Sequence, residues 1–341
     1  MSSVASERVK SLHDHFGKPN APMRPILTFI NGDVSWLISL PRPAAERASG
    51  PKKAYYHVAI DPWFGEQSAV GLTGLLLRMD LGAPAAISSR VELDAAVVDI
   101  EAAAGHVLVP TDAAPAVDAI ALTIVTADHT DKPSLLEFAP RTPVFAVGAA
   151  ARSVQGYGHF NTVVQIAGGF DPSTAPWKEA SHPGAPLPDW LTIFAPAVTH
   201  LNNFGLVIIT SADPKRPEAI LNAPHGIAAS ERSIQALAAL EPPAVILALI
   251  APVKQAFFFN KLTVFGAEQA VRIADETKAR YWLRTGDLVN LKYGGLIGYW
   301  LSDVHHDVEW GRQQLRKDFG ERVFQTAEPL AVPNGGTLVL A

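Results

Sequence analysis

The apolar run from Ala119 to Val125 gives way to the polar turn Thr126-Ala127-Asp128-His129-Thr130-Asp131-Lys132, and this junction constrains the fold more than any other stretch. A largely apolar segment of that length, closed by a polar turn, reads as a buried strand. It delivers an imidazole (His129) and a carboxylate (Asp131), two positions apart, to its own end.

The same grammar recurs along the chain. Ile26 to Ile30 leads into the tight-turn signal Asn31-Gly32-Asp33, followed by Val34 to Leu40. Tyr55 to Ile60 ends at Asp61-Pro62-Trp63-Phe64, and Val144 to Val147 and Thr162 to Ile166 continue the series. Later strand-like runs are Gly205 to Thr210, Glu218 to Asn222, Val245 to Ile250, and Tyr281 to Leu283, which closes at Arg284-Thr285-Gly286-Asp287. Helical spacing is interleaved over Ser134 to Phe138, Ala149 to Tyr157, Ser230 to Leu240 and Gly266 to Lys278. Asp171 to Asp189 holds five prolines and reads as a long surface loop, a pocket wall or lid. This alternation predicts an α/β fold: one αββα sandwich of two mixed β-sheets flanked by helices, over residues 25–341, after a polar N-terminal extension over 1–24.

Composition removes several classes of function. At 341 residues and 48% hydrophobic, the chain can bury a large core and is not disordered. A net charge of -5 without a Lys/Arg-rich block argues against nucleic acid and acidic membrane surfaces as partners. The absence of cysteine excludes disulfides, thiolate zinc sites and a Cys nucleophile, so a metal would be held by His and carboxylate. No Gly-x-Ser-x-Gly elbow or phosphate-cradling glycine loop is present. The N-terminus has no signal-like apolar core and no run is long enough to span a bilayer, so a soluble, cytoplasmic protein acting on a small molecule is expected.

The turn after Val125 resembles a degenerate copy of the His-x-His-x-Asp-His loop of the metallo-β-lactamase superfamily. Laid on that pattern it reads Ala127, Asp128, His129, Thr130, Asp131, Lys132, so Ala and Lys replace two of the four ligand positions. Thr28 to Leu37 followed by Asp61-Pro62-Trp63 resembles the opening hairpins of a fungal-type branch, and Ala223-Pro224-His225-Gly226 and Tyr281 to Asp287 resemble its later strand-end motifs. That branch is akin to bacterial sugar lactonases, and its members look like tailoring enzymes of secondary metabolism. The resemblance runs from about Pro25 to about Trp300.

The resemblance implies at most one metal ion, zinc or another divalent metal, held by His129, His200 and His225, with Asp131 as ligand or close partner. Lys132 would stand where a second cation would otherwise sit, pair with Asp131 and help an oxyanion. Asp61 would orient the His129 loop as an acceptor. Trp63, Phe64, Tyr157 and His159 would line an aromatic substrate pocket. Plainer readings stand beside these: Asp131 accepting backbone bonds in a turn, Lys132 solvated, Asp61 capping a turn, His200 an ordinary loop histidine and the aromatics packed in the core. The expected activity is hydrolysis of a small ester, lactone or thioester. The alternatives are a metal-free lyase, isomerase or cyclase, or a non-catalytic ligand-binding protein. An oligomer is compatible with all of them.

Overall fold

The apolar runs pair into two mixed sheets, each lying in its own compact unit. The computed structural model describes residues 3–50, 53–70, 74–166, 168–171, 174–199 and 204–341. Residues 1–69, 80–165 and 332–341 make up the first unit, and 70–79 with 166–331 the second.

In the first unit the strand order is Thr337–Val339, Ile26–Phe29, Trp36–Pro41, Tyr55–Ile60, Ala119–Leu122, Val144–Ala146 and Val163–Gln165. The first four pair antiparallel, and from Tyr55–Ile60 onward the pairing is parallel. Residues of Ala119–Leu122 and Val144–Ala146 are all buried, as parallel strands covered on both faces require. Ile60 pairs with Ala121, which places the residues following both strands side by side at their carboxyl ends.

Helix Arg90–Ala103 buries Leu93, Ala96, Val97 and Ile100, a single stripe at helical spacing. Its N-cap is Ser89, which accepts from the Glu92 backbone N–H. The polar segment before residue 25 carries the helix Ser3–Phe16 and packs on this helix: Leu12 is buried and Arg8 bonds Asp99 at 2.7 Å. Inside the unit, Glu101 accepts from the backbone N–H groups of Ala54 and Tyr55 and lies 2.9 Å from His57 Nε2. Burial would raise this carboxyl, but the His57 hydrogen bond and charge and the two N–H groups outweigh it, leaving Glu101 below the usual range.

The second unit repeats the plan with strands Pro329–Leu330, Tyr281–Leu283, Val245–Ile250, Glu218–Asn222, Leu206–Thr210, Leu191–Pro196 and Gly168–Phe170. Helix Gly266–Thr277 covers the core built on Val271, Ile273, Trp282 and Leu249. The stretch Asp171 to Asp189, expected as a surface loop, instead contains the helix Trp177–Ser181, anchored by the buried Trp177 ring whose Nε1–H donates to the Pro242 carbonyl. The helix expected over Ser230 to Leu240 is split into Arg232–Gln235 and a 3-10 turn Ala236–Ala239, and Pro242-Pro243 hold the chain after it out of helix. A further sheet not foreseen from the sequence joins Lys261–Phe265, Gln255–Phe258 and Leu301–Val304. Among the described residues no helix is long and apolar enough to cross a membrane.

Candidate functional site

Three strand ends in the first unit converge on one buried imidazole. After Ile60 the chain turns at Asp61, whose φ of +44° is left-handed, a conformation that aspartate tolerates better than most residues. Its N–H donates to Ala121 O at 3.0 Å, holding the strand ends in register. Its carboxylate then accepts from the Thr123 N–H (2.8 Å), the Thr123 hydroxyl (2.5 Å) and His129 Nδ1–H (2.7 Å). His129 and Asp61 are both completely buried. The turn Thr126 to Thr130, closed by the His129 and Thr130 N–H groups on Thr126 O, carries the ring into place.

The other ring nitrogen, Nε2, lies 3.4 Å from Asp128 Oδ2. Asp128 is buried, and its Oδ1 has no hydrogen-bond partner. A third acid comes from the predicted tight turn: Asn31 Oδ1 accepts from the Asp33 and Ser35 N–H groups, shaping the loop that holds the buried Asp33. Burial alone would lower the His129 pKa. The charges of Asp128 and Asp61, the Asp61 hydrogen bond and the Asp33 charge outweigh it and push the pKa up to about 9. The array is therefore an imidazole that is protonated at neutral pH in the metal-free protein and surrounded by carboxylates.

The other candidates fall into distinct places. Asp131 is a helix cap: its carboxylate accepts from the Ser134 N–H (3.0 Å) and hydroxyl (2.5 Å) at the start of Lys132–Leu136, where Pro133 suits the first turn. Burial raises its pKa first, with Ser134 opposing. Both bonds fall on one carboxylate oxygen, Oδ2, which ties Asp131 to the start of its own helix. Asp131→Ala is expected to lower stability by about 1 kcal/mol, measured by denaturant unfolding, while leaving metal content per chain unchanged.

Lys132 is exposed, with its ammonium 5.1 Å from the centre of the Tyr157 ring and not on Asp131. In place of the expected Lys132–Asp131 pair, Lys132 makes a cation–π contact with Tyr157 and Asp131 caps its helix on Ser134. Tyr157 is half-buried and donates its hydroxyl to Thr130 O at 3.0 Å, bracing the His129 turn. His159 donates Nε2–H to Phe138 O at 2.8 Å. Trp63 and Phe64 are core residues, not an open pocket wall: Trp63 is fully buried, and Phe64 stacks on Phe138 and donates its N–H to the Ser134 hydroxyl. The Trp63 indole N–H has no partner.

His200 lies outside the described residues. His225, in the second unit, is half-buried in the turn Pro224-His225-Gly226, and its carbonyl accepts from the Phe265 N–H at 2.8 Å. In that unit Asn222, the last residue of its strand, is fully buried with both side-chain amide atoms unpartnered.

Asp128, Asp33, Thr123 and Asn222 were not among the sequence candidates. The motif alignment treats Asp128 as a spacer, although a carboxylate next to His129 was visible in the sequence. Buried unpartnered polar atoms are costly and rare, so Asp128 Oδ1 and the Trp63 indole in the first unit, and the Asn222 amide in the second, are among the atoms whose unmet hydrogen bonds a ligand, ion or water can satisfy within its own unit.

As a metal site, the first unit offers an imidazole nitrogen beside a carboxylate with an unpartnered oxygen. That donor chemistry suits one divalent ion such as zinc, though it makes up only part of the usual three-ligand protein set.

No protein-family model matches the chain, and no curated protein matches it in sequence. Solved structures do match over nearly its whole length. A possible metal-dependent hydrolase from Veillonella parvula aligns with a TM-score of 0.54 at 10% identity, covering 93% of this chain and 100% of that one. This match shows the fold. It is an α/β arrangement of mixed sheets and helices, in keeping with the metallo-β-lactamase type expected from the sequence. An isothiocyanate hydrolase from Delia radicum gut bacteria (TM-score 0.49, 14% identity, 92% and 98% covered) also aligns. So does a metallo-hydrolase from the hyperthermophilic archaeon Ignicoccus hospitalis (0.48, 12%, 93% and 98%).

Proposed function

We propose that this chain is a hydrolase of a small ester, lactone or thioester that uses at most one divalent metal ion, with zinc the best fit to the donors. The reading is carried by the buried Asp61–His129–Asp128 array, in which one ring nitrogen is committed and the other faces a carboxylate with a free acceptor. The Asp61 bond fixes the tautomer and orientation of His129, leaving Nε2 as the ligating or proton-exchanging atom. Asp128 Oδ1 can accept a proton or contribute a ligand oxygen from the same side. His129 and Asp128 are thus the residues of this unit that would hold the ion. When bound, such an ion lowers the pKa of a coordinated water from about 16 to about 7. Tyr157 and Lys132 border the turn and would meet a substrate there. The proposed setting is cytoplasmic.

A second reading is favoured by one observation. With His129 pushed up to about 9, the metal-free array already holds a cation among its acids. On this reading the chain carries out proton-transfer chemistry (a lyase, isomerase or cyclase) in which His129 donates and Asp128 accepts.

Metal content per chain, measured by mass spectrometry on untagged protein after chelation and zinc loading, separates the two. About one equivalent in the parent chain, lost in His129→Ala and in Asp128→Ala, is expected for the metal-assisted hydrolase. Zero in the parent chain overturns it in favour of metal-free chemistry. His200→Ala and His225→Ala, measured in the same way, retain or discard those two sequence candidates.

A further inference from the structure

A large, mostly apolar aromatic surface, with Arg78 and Lys261 at its edges, sits on the second unit. The hairpin of Gln255–Phe258 and Lys261–Phe265 pairs Phe258 with Lys261, so its loop is only Phe259-Asn260. Phe259 has φ +52°, a left-handed backbone where tight hairpins favour glycine and where a bulky side chain is a rare outlier. Its ring points outward and stacks on Trp300, with centroids 4.3 Å apart, and its N–H donates to Trp300 O. Trp300 follows Gly294 to Tyr299, a run without a single charge, and the N–H groups of Leu296 and Ile297 donate to the Leu75 and Leu76 carbonyls. These bonds set the exposed Leu75 and Leu76 beside the short turn that leads to Trp300.

The size of this surface is that of an interface. Exposures are 51% for Phe259, 51% for Trp300, 90% for Tyr299, 64% for Leu296, 65% for Leu75 and 41% for Leu76. Taken with about 150–250 Å² for a whole aromatic side chain, these six residues present on the order of 700 Å² of mostly apolar surface. That exceeds the roughly 300–600 Å² of the largest patch on an ordinary monomer and approaches the ~800 Å² per partner of a standard interface. Aromatic and aliphatic residues with charges confined to the edge are the composition of an interface, and Trp and Tyr are its usual energetic centres. The chain's net charge of -5 does not suit an anionic lipid surface as the alternative.

We propose that this face is a twofold interface at which a second copy of the chain docks, burying the Phe259–Trp300 stack at its centre. In a twofold contact the same patch serves both subunits, so one self-complementary apolar surface is sufficient.

Sedimentation velocity of the full chain across micromolar concentrations tests this. The parent chain is expected to run as a dimer, and Phe259→Ser with Trp300→Ser to raise the dissociation constant by at least about 100-fold. Phe259→Gly provides a second variant that removes the ring yet suits the left-handed backbone; it should weaken the dimer while its circular dichroism stays that of the folded parent chain. A parent chain that is monomeric throughout overturns the proposal, as does a dimer that survives both variants. A monomer that pellets with phosphatidylcholine/phosphatidylglycerol vesicles overturns it in favour of a membrane-facing role.

Discussion

Asp61→Ala is expected to lower the unfolding free energy by about 3–5 kcal/mol, the range for breaking a buried ion pair by removing one partner. The carboxylate is completely buried and is the common acceptor for the Thr123 N–H, the Thr123 hydroxyl and His129 Nδ1–H. Its loss strands those donors and leaves a buried imidazolium facing only Asp128 and Asp33. Asp61→Asn separates charge from shape. It tolerates the left-handed φ of +44° and keeps one acceptor oxygen, but it turns an NH₂ group toward donors. Its cost should be smaller, about 1–3 kcal/mol. Denaturant unfolding of both variants at neutral pH is the measurement. If the alanine variant stays within about 0.5 kcal/mol of the parent chain, Asp61 is not the hub that the hydrogen bonds describe.

Asp61 and His129 were legible in the sequence because both follow apolar runs that could only be buried, and strand ends are where polar side chains collect. What lay beyond was hidden for particular reasons. Reading the turn as a damaged His-x-His-x-Asp-His loop drew attention to Asp131 and Lys132 and passed over Asp128. A competing local signal was present all along: Asp131 followed by Pro133 and Ser134 is the pattern of a capped helix start, and the cap prevailed. Trp63 and Phe64 show a different limit. Aromatic residues beside a site look the same in sequence whether they line a pocket or fill a core, and only burial distinguishes them. The hairpin through Phe259 was missed because its turn lacks the glycine that normally announces one. The N-terminal helix escaped notice because its polar residues outnumber the few, such as Leu12, that dock it.

The metal-free chain is expected to lose stability as pH rises from about 6.5 to about 9. His129 titrates near its ordinary value of about 6.5 when unfolded, but the buried acids Asp128, Asp61 and Asp33 push it up to about 9 in the fold. The native state therefore holds this proton more tightly than the unfolded chain. Its contribution is fully present below about pH 6.5, declines through the interval and is gone above about 9. A shift of this size corresponds to about 3 kcal/mol. Denaturant unfolding at a series of pH values, in the presence of a chelator, should show this slope in the parent chain and its absence in His129→Gln. A bound divalent ion reverses the trend, because it takes the Nε2 lone pair and must displace the proton. Stabilisation by added zinc is then expected to be greater at pH 8 than at pH 6. A parent chain whose metal-free stability rises between pH 6.5 and 9, or a slope that persists in His129→Gln, would show that the protonated imidazole is not what holds these three acids together.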